Sequence, residues 1–409
     1  MPLDTGDTSF MLVATALVMI MTPGLAFFYG GLVSRKNVLT IMMQSYVSMG
    51  ISTILWVVVG YSLCFSGDVG GIIGNLDMAF LKGIAPTDMF GGTDGTIPLL
   101  LFVVYQMMFA IITPALITGA FANRITFKAY LIFLVVWQIF VYYPFVHMIW
   151  GGGMLADGGI FGDVGVKDFA GGIVVHALAG MAALASVIYV GKRGVKDAGA
   201  HNVPFVAIGA ALLWFGWFGF NAGSELAVDK ITVVAFINTQ IAAAFAAITW
   251  LLLAWHYDKK PSFVEMLIGM IAGLATITPA AGFVTPQSAM LIGVAAGLVC
   301  YYAVVFRKKK ELDDALDVWG VHGVGGALGI LLLGVLANEE IGGHNGLYHG
   351  NSGFFMVQLA GLALACVWAF AFTYGMLMMI DKVTPVKVTD EAEQVDLDMA
   401  LHGEAAYID

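Results

Sequence analysis

The sequence predicts an all-α polytopic membrane protein of eleven transmembrane helices, ten forming a 5+5 inverted repeat and the eleventh peripheral. Three observations predict it. Hydrophobic residues make up 60% of the 409 and charged residues only 11%, where a soluble domain carries about 25% charged. Loops bearing Lys and Arg punctuate the apolar runs. Short motifs of the first half also return in the second, five runs later.

A span needs roughly 20 apolar residues, which places spans at 10–32, 40–65, 97–121, 130–150, 170–190, 204–224, 233–257, 263–283, 288–306, 318–336 and 352–380. Ahead of them, Met1 to Ser9 is acidic without a positive n-region, so no cleaved signal peptide is expected. Loops after odd-numbered spans hold Arg35, Lys36, Arg124, Lys128, Lys192, Arg193, Lys196, Lys259, Lys260, Arg307, Lys308, Lys309 and Lys310. Lys382 and Lys387 follow the last span, and of 18 basic residues only Lys82, Lys167 and Lys230 fall in the other loops. Positive loops stay cytoplasmic, so the expected topology in the plasma membrane is N-terminus outside, C-terminus inside.

Three motif pairs carry the repeat. Val175-His176 in span 5 returns as Val321-His322 in span 10, and Ile112-Thr113-Pro114-Ala115 in span 3 as Ile277-Thr278-Pro279-Ala280 in span 8. Gly24, Phe28 and Gly31 in span 1 share their spacing with Gly216, Phe220 and Gly223 in span 6. An odd offset means that the copies cross in opposite senses, an architecture of membrane transporters whose substrate path runs between the halves. The expected organisation is a transmembrane domain over 1–380, with halves at about 8–190 and 204–336 and helix 11 at 352–380. A tail over 381–409 follows. That tail is acidic and polar, which by composition reads as a solvated, partly disordered end.

The candidate residues for chemistry lie inside the spans or at their ends. A buried imidazole needs a hydrogen-bond partner, since an unsatisfied polar group there costs several kcal/mol. Two histidines in matching settings, each followed by small residues that permit close helix approach, suggest that His176 and His322 partner each other. Separate bonds to nearby carbonyls are the plainer alternative. Trp150, and the block Trp214 to Ser224, end spans 4 and 6 at one face. They read either as an interfacial belt or as a cation site, where an aromatic face contributes up to about 2 kcal/mol and Ser224 accepts a hydrogen bond. Asp168, eight residues before His176, could cap span 5 or lend negative potential to a vestibule. Cys64, Cys300 and Cys366 have no metal-like spacing and read as packing residues. The net charge of −10 argues against nucleic acid, and no metal or cofactor is expected.

Several longer motifs carry a resemblance. Asp168-Phe169-Ala170-Gly171-Gly172 leading to His176, Trp217 through Ser224, Gly320-Val321-His322-Gly323-Val324, His147 through Gly153, and Thr22-Pro23-Gly24 with Phe27-Phe28-Tyr29 together resemble the ammonium transporter (Amt/Mep) family, related to the Rhesus proteins. The resemblance covers essentially the whole chain. It implies an external ammonium site at Trp150 and Ser224, with Phe109 adding aromatic surface. It further implies a gate of Phe109 over Phe220, a supporting carboxylate at Asp168, a vestibule aromatic at Trp217 and a pore-lining Thr278. His176 and His322 fall where the family has its twin histidines. A homotrimer is implied, each protomer with its own pore and no enzymatic activity. In the tail, Leu397-Asp398 and His402-Gly403-Glu404 match the family's cytoplasmic coupling segment, which works with a PII-type nitrogen-signalling protein. Lys387 stands where arginine is usual and Asp396 where glycine precedes Leu-Asp. A Cβ at 396 is unfavourable if that turn needs φ > 0, so altered tail control is expected.

These residues suggest ammonium transport for nitrogen uptake. The cation binds at the aromatic mouth, loses its proton, and crosses as ammonia between the histidines while the proton travels separately, making transport electrogenic. Two other readings are an ammonium sensor of low flux signalling through its tail, and a haem protein with His176 and His322 as axial ligands.

Overall fold

Eleven helices stand at the eleven expected positions in the computed structural model, which describes residues 3–194, 199–394 and 396–407. Lys196 of the basic loop series lies outside them. The helices are α1 (Thr5–Leu32), α2 (Val38–Phe65), α3 (Leu99–Ile117), α4 (Phe127–Trp150), α5 (Gly172–Val190), α6 (Val203–Ala222), α7 (Lys230–Asp258), α8 (Phe263–Ile277), α9 (Pro286–Lys309), α10 (Trp319–Leu336) and α11 (Ser352–Asp381). Two short helices, α12 (Asp390–Gln394) and α13 (Leu397–His402), follow in the tail. Among the described residues, ten helices are long and apolar enough to cross a membrane and α8 is the shorter one.

Two spans end earlier than hydropathy suggests. α8 stops at Ile277 rather than 283 because Pro279 has no N–H to extend the ladder, and the chain turns through 278–283. α3 stops at Ile117 rather than 121, and the apolar turns that follow deliver Arg124 to a fully buried position.

α1 packs most extensively against α6, its counterpart in the other half, and α7 packs against α8 and α9. Glycine makes the α1–α6 approach feasible: a Cβ on Gly209 would lie 2.2 Å from the Phe28 backbone nitrogen. The two halves meet again at α5 and α10. Each of these begins with a π-helical turn, Gly172–Ala177 and Trp319–Gly323, and the turn of each packs on the body of the other. A π turn inserts a residue into the helical repeat and so re-aims the side chains it carries. Here it carries His176 and His322. α11 lies outside this pairing, against α5 and α10.

The tail is not a loose end. The Thr126 N–H donates to Val386 O (2.9 Å) and Val388 N–H to Arg124 O (2.9 Å), pairing Ile125 with Lys387 in an antiparallel bridge. Asp398 is buried and accepts from the Leu39 N–H, the Thr40 N–H and the Thr40 hydroxyl at 2.9, 2.7 and 2.8 Å. It therefore caps the start of α2 from the far end of the chain. The His402 ring sits edge-on to Phe127 at 5.3 Å, and Tyr407 meets His201 Nε2 at 2.9 Å. Glu404 is exposed. Composition missed this because the contacts are made by a few spaced residues within a polar stretch. Asp396 has φ −82° and caps α13, accepting from the Met399 N–H at 3.1 Å. The turn therefore does not need glycine, and the expected penalty for a Cβ there does not arise.

Candidate functional site

A vestibule of roughly 480 Å³ opens on the face opposite the tail, lined by Phe102, Phe109, Trp150, Asp168, Ser224 and Glu225 among others. Its floor is aromatic. Phe109 and Phe220 lie 4.4 Å apart at 35°, and Trp150 stands edge-on to Phe109 at 6.2 Å. Trp150 is fixed by its indole N–H, which donates to Asp168 O at 2.8 Å. The Ser224 hydroxyl donates to Phe220 O (2.8 Å), one turn back, so towards any further partner its oxygen acts as an acceptor. Tyr105, one turn before Phe109, places its hydroxyl 3.2 Å from Ser224 Oγ; sequence reasoning missed it.

Both carboxylate oxygens of Asp168 are occupied. They accept from the N–H groups of Gly171, Gly172, Ile173 and Val174 at 3.0, 2.5, 2.8 and 3.0 Å. Burial pushes this carboxyl upward in pKa and the four N–H donors pull it back down. The side chain holds the π turn of α5, and its carbonyl orients Trp150. Asp314 does the same for α10, accepting from Val318 N–H (3.1 Å) and Trp319 N–H (2.8 Å). Sequence reasoning missed Asp314 although the signal was present: Asp314 precedes His322 by the same eight residues that separate Asp168 from His176. Burial, then the neighbouring Asp317, pushes the Asp314 carboxyl up to about 6. Beside it, burial works to raise the Asp313 carboxyl, but the hydrogen-bonded Arg193 holds it below the usual range.

Beneath the Phe109–Phe220 pair the rings continue in file. His176 stacks at 6.0 Å from Phe220 and 5.5 Å from Trp217. The Trp217 indole donates to the Thr278 hydroxyl at 2.9 Å, whose own proton goes to Leu274 O. His176 Nδ1 and His322 Nδ1 are 3.2 Å apart, with ring planes 19° apart. One proton lies between them, so in the neutral pair one Nε2 carries a hydrogen and the other is bare. His176 Nε2 is buried with no partner within the protein. The space around the pair is lined by apolar groups such as Leu25, Phe28, Ile112 and Ile271, and has only about 10 Å³ for the centre of a water-sized molecule, close to the least that admits one water.

The structure thus brings Trp150, Ser224, Phe109, Phe220, Trp217, His176 and His322 into one file, with Asp168 behind it. Lys387, Asp396, Asp398, His402 and Glu404 lie apart, on the tail face. Such a file can hold a small cation against aromatic faces and pass a small neutral molecule, and it offers no group to compensate a charge in the slot.

Comparison with known proteins shows what the whole chain is similar to. The profile of the Ammonium Transporter Family matches residues 9–407. The ammonium transporter Amt1 of Archaeoglobus fulgidus is 43% identical over 408 residues, covering 99% of this chain and 100% of that one. The ammonium transporter of Bacillus subtilis is 44% identical over 413 residues, covering 100% of both. The crystal structure of Candida albicans Mep2 superposes with TM-score 0.87 at 33% identity, over 99% of this chain and 91% of that one. A structure named Sensor Amt Protein superposes with TM-score 0.87 at 29% identity, over 97% and 98%.

Proposed function

The chain belongs to the ammonium transporter family, and we propose that it binds ammonium at the Trp150–Ser224 mouth, deprotonates it, and conducts ammonia past His176 and His322. The observation that carries this reading is the uncharged slot beneath an aromatic mouth, with only about 10 Å³ for the centre of a water-sized molecule. A bare ion in hydrocarbon-like surroundings faces tens of kcal/mol by the Born estimate, whereas the mouth offers cation–π attraction and a hydroxyl acceptor. The ion therefore passes its proton to vestibule water at the Phe109–Phe220 pair and goes on as ammonia. The bare Nε2 of the imidazole pair then accepts from ammonia, and the protonated one donates to it. The proton travels separately, so net transport is electrogenic. This is transport and not an enzymatic conversion.

The positive-inside pattern supports an N-terminus outside the plasma membrane and a cytoplasmic tail. Family membership supports a homotrimer with one pore per protomer. Residues 1–380 form the transport unit. The tail over 381–409, docked through Asp398 and Tyr407, is its regulatory segment and the contact for a PII-type protein. A second reading, ammonium sensing at low flux, is favoured by the likeness to Sensor Amt Protein. An ammonium jump on proteoliposomes, recorded as current and as ammonia flux, tests both. Saturable current with matching flux supports transport; flux without current rejects the electrogenic step, and negligible flux with retained ammonium binding favours the sensor.

A further inference from the structure

Four charged residues line the vestibule: Asp157, Lys167, Asp168 and Glu225. Three are committed. The Lys167 ammonium donates to both oxygens of Asp157 at 2.7 and 2.6 Å, forming a neutral pair. Asp168 spends both oxygens on four backbone N–H groups at the positive end of α5. Nearby acids outside the lining are also engaged: Asp229 caps α7 through the Ile231 and Thr232 N–H groups, and Asp7 accepts from the Val228 N–H. Glu225 differs. It is half-buried, follows Ser224 directly, and makes no hydrogen bond or ion pair among the described residues. It sits at the end of the 3₁₀ turn Gly223–Glu225, where Leu226 at φ 63° reverses the chain.

We infer that the Glu225 carboxylate is an outer capture group for small monovalent ammonium-type cations, concentrating them beside Ser224 and Trp150 before they reach the aromatic floor. This rests on the transport reading above and adds to it a residue that sets apparent affinity rather than turnover. The physical basis is focusing. Burial, then the neighbouring Asp229, pushes the Glu225 carboxyl up to about 7, so at about pH 8, where the assay is run, it stands mostly ionised and unpaired in the cleft. There it raises the local concentration of counter-ions, and salt screens it. Neutralising it while keeping its shape weakens capture but leaves the slot intact.

The test compares wild type, E225Q and E225D in proteoliposomes, as ammonium-elicited current against ammonium concentration at low and high ionic strength. At low salt E225Q raises the half-saturating concentration about threefold to tenfold with unchanged maximal current. E225D stays near wild type, and the gap closes at high salt. In wild type alone, half-saturation rises with salt. Equal half-saturation for E225Q and wild type at low salt overturns the inference, as does a difference that persists undiminished at high salt. So does a wild-type half-saturation indifferent to salt. Absence of any saturable wild-type current instead overturns the transport reading.

Discussion

Adding one methyl group at Gly180 tests whether backbone contact sets the histidine spacing. A Cβ there would lie 2.0 Å from Gly323 Cα and 2.1 Å from Gly323 N. Both neighbours are backbone, so no side chain can swing aside. Ordinary contact begins near 3.4 Å, so α5 and α10 must separate by the difference, about 1.4 Å. Carried to the imidazoles, that opens the 3.2 Å Nδ1–Nδ1 contact to as much as about 4.6 Å, beyond any hydrogen bond. Overpacking costs about 1–3 kcal/mol, and leaving the buried ring nitrogens unpaired costs about 1–3 kcal/mol more. Gly180→Ala is therefore expected to lower the melting temperature of the purified protein and cut ammonium-elicited current at least about tenfold, as a lost shared proton breaks the file. Gly50→Ala is the control, since nothing lies within 4 Å of an added Cβ there. Wild-type current and melting temperature in Gly180→Ala would refute the reasoning.

Two further outcomes follow from the same contacts. Asp398→Ala removes three hydrogen bonds to a buried carboxylate; at about 2 kcal/mol or more in all, limited proteolysis should cut the tail roughly 30-fold faster while the transmembrane helices stay protected. Asp314, pushed up to about 6 by burial and then by Asp317, binds its proton more tightly folded than unfolded. Its contribution is therefore full below about pH 4 and lost as pH rises through about 6. The shift corresponds to something on the order of 3 kcal/mol. The melting temperature of wild type should fall, relative to Asp314→Asn, between those pH values; parallel curves would contradict the assignment.

Much of this molecule is legible in its sequence because the membrane leaves a periodic mark on composition. Apolar length and basic loops place α1 to α11, and the repeated Val-His pair locates the meeting of the halves. What hydropathy cannot see is main-chain register. The π turns that aim His176 and His322 have no compositional signature, and the early end of α8 depends on one missing N–H at Pro279. Asp168 was legible as an acid near a helix start. That all its acceptor capacity is used by α5 follows only from the four distances. The tail shows the converse: Asp396 looks unfavourable against a glycine pattern, yet with φ −82° it caps a helix instead.

The most direct measurement is ammonium-elicited current, with flux, in wild type against His176→Ala and His322→Ala reconstituted at equal density. Saturable current is expected in wild type and its loss in both variants, because neither leaves a shared proton between Nδ1 atoms now 3.2 Å apart. Undiminished current and selectivity in both variants would contradict it.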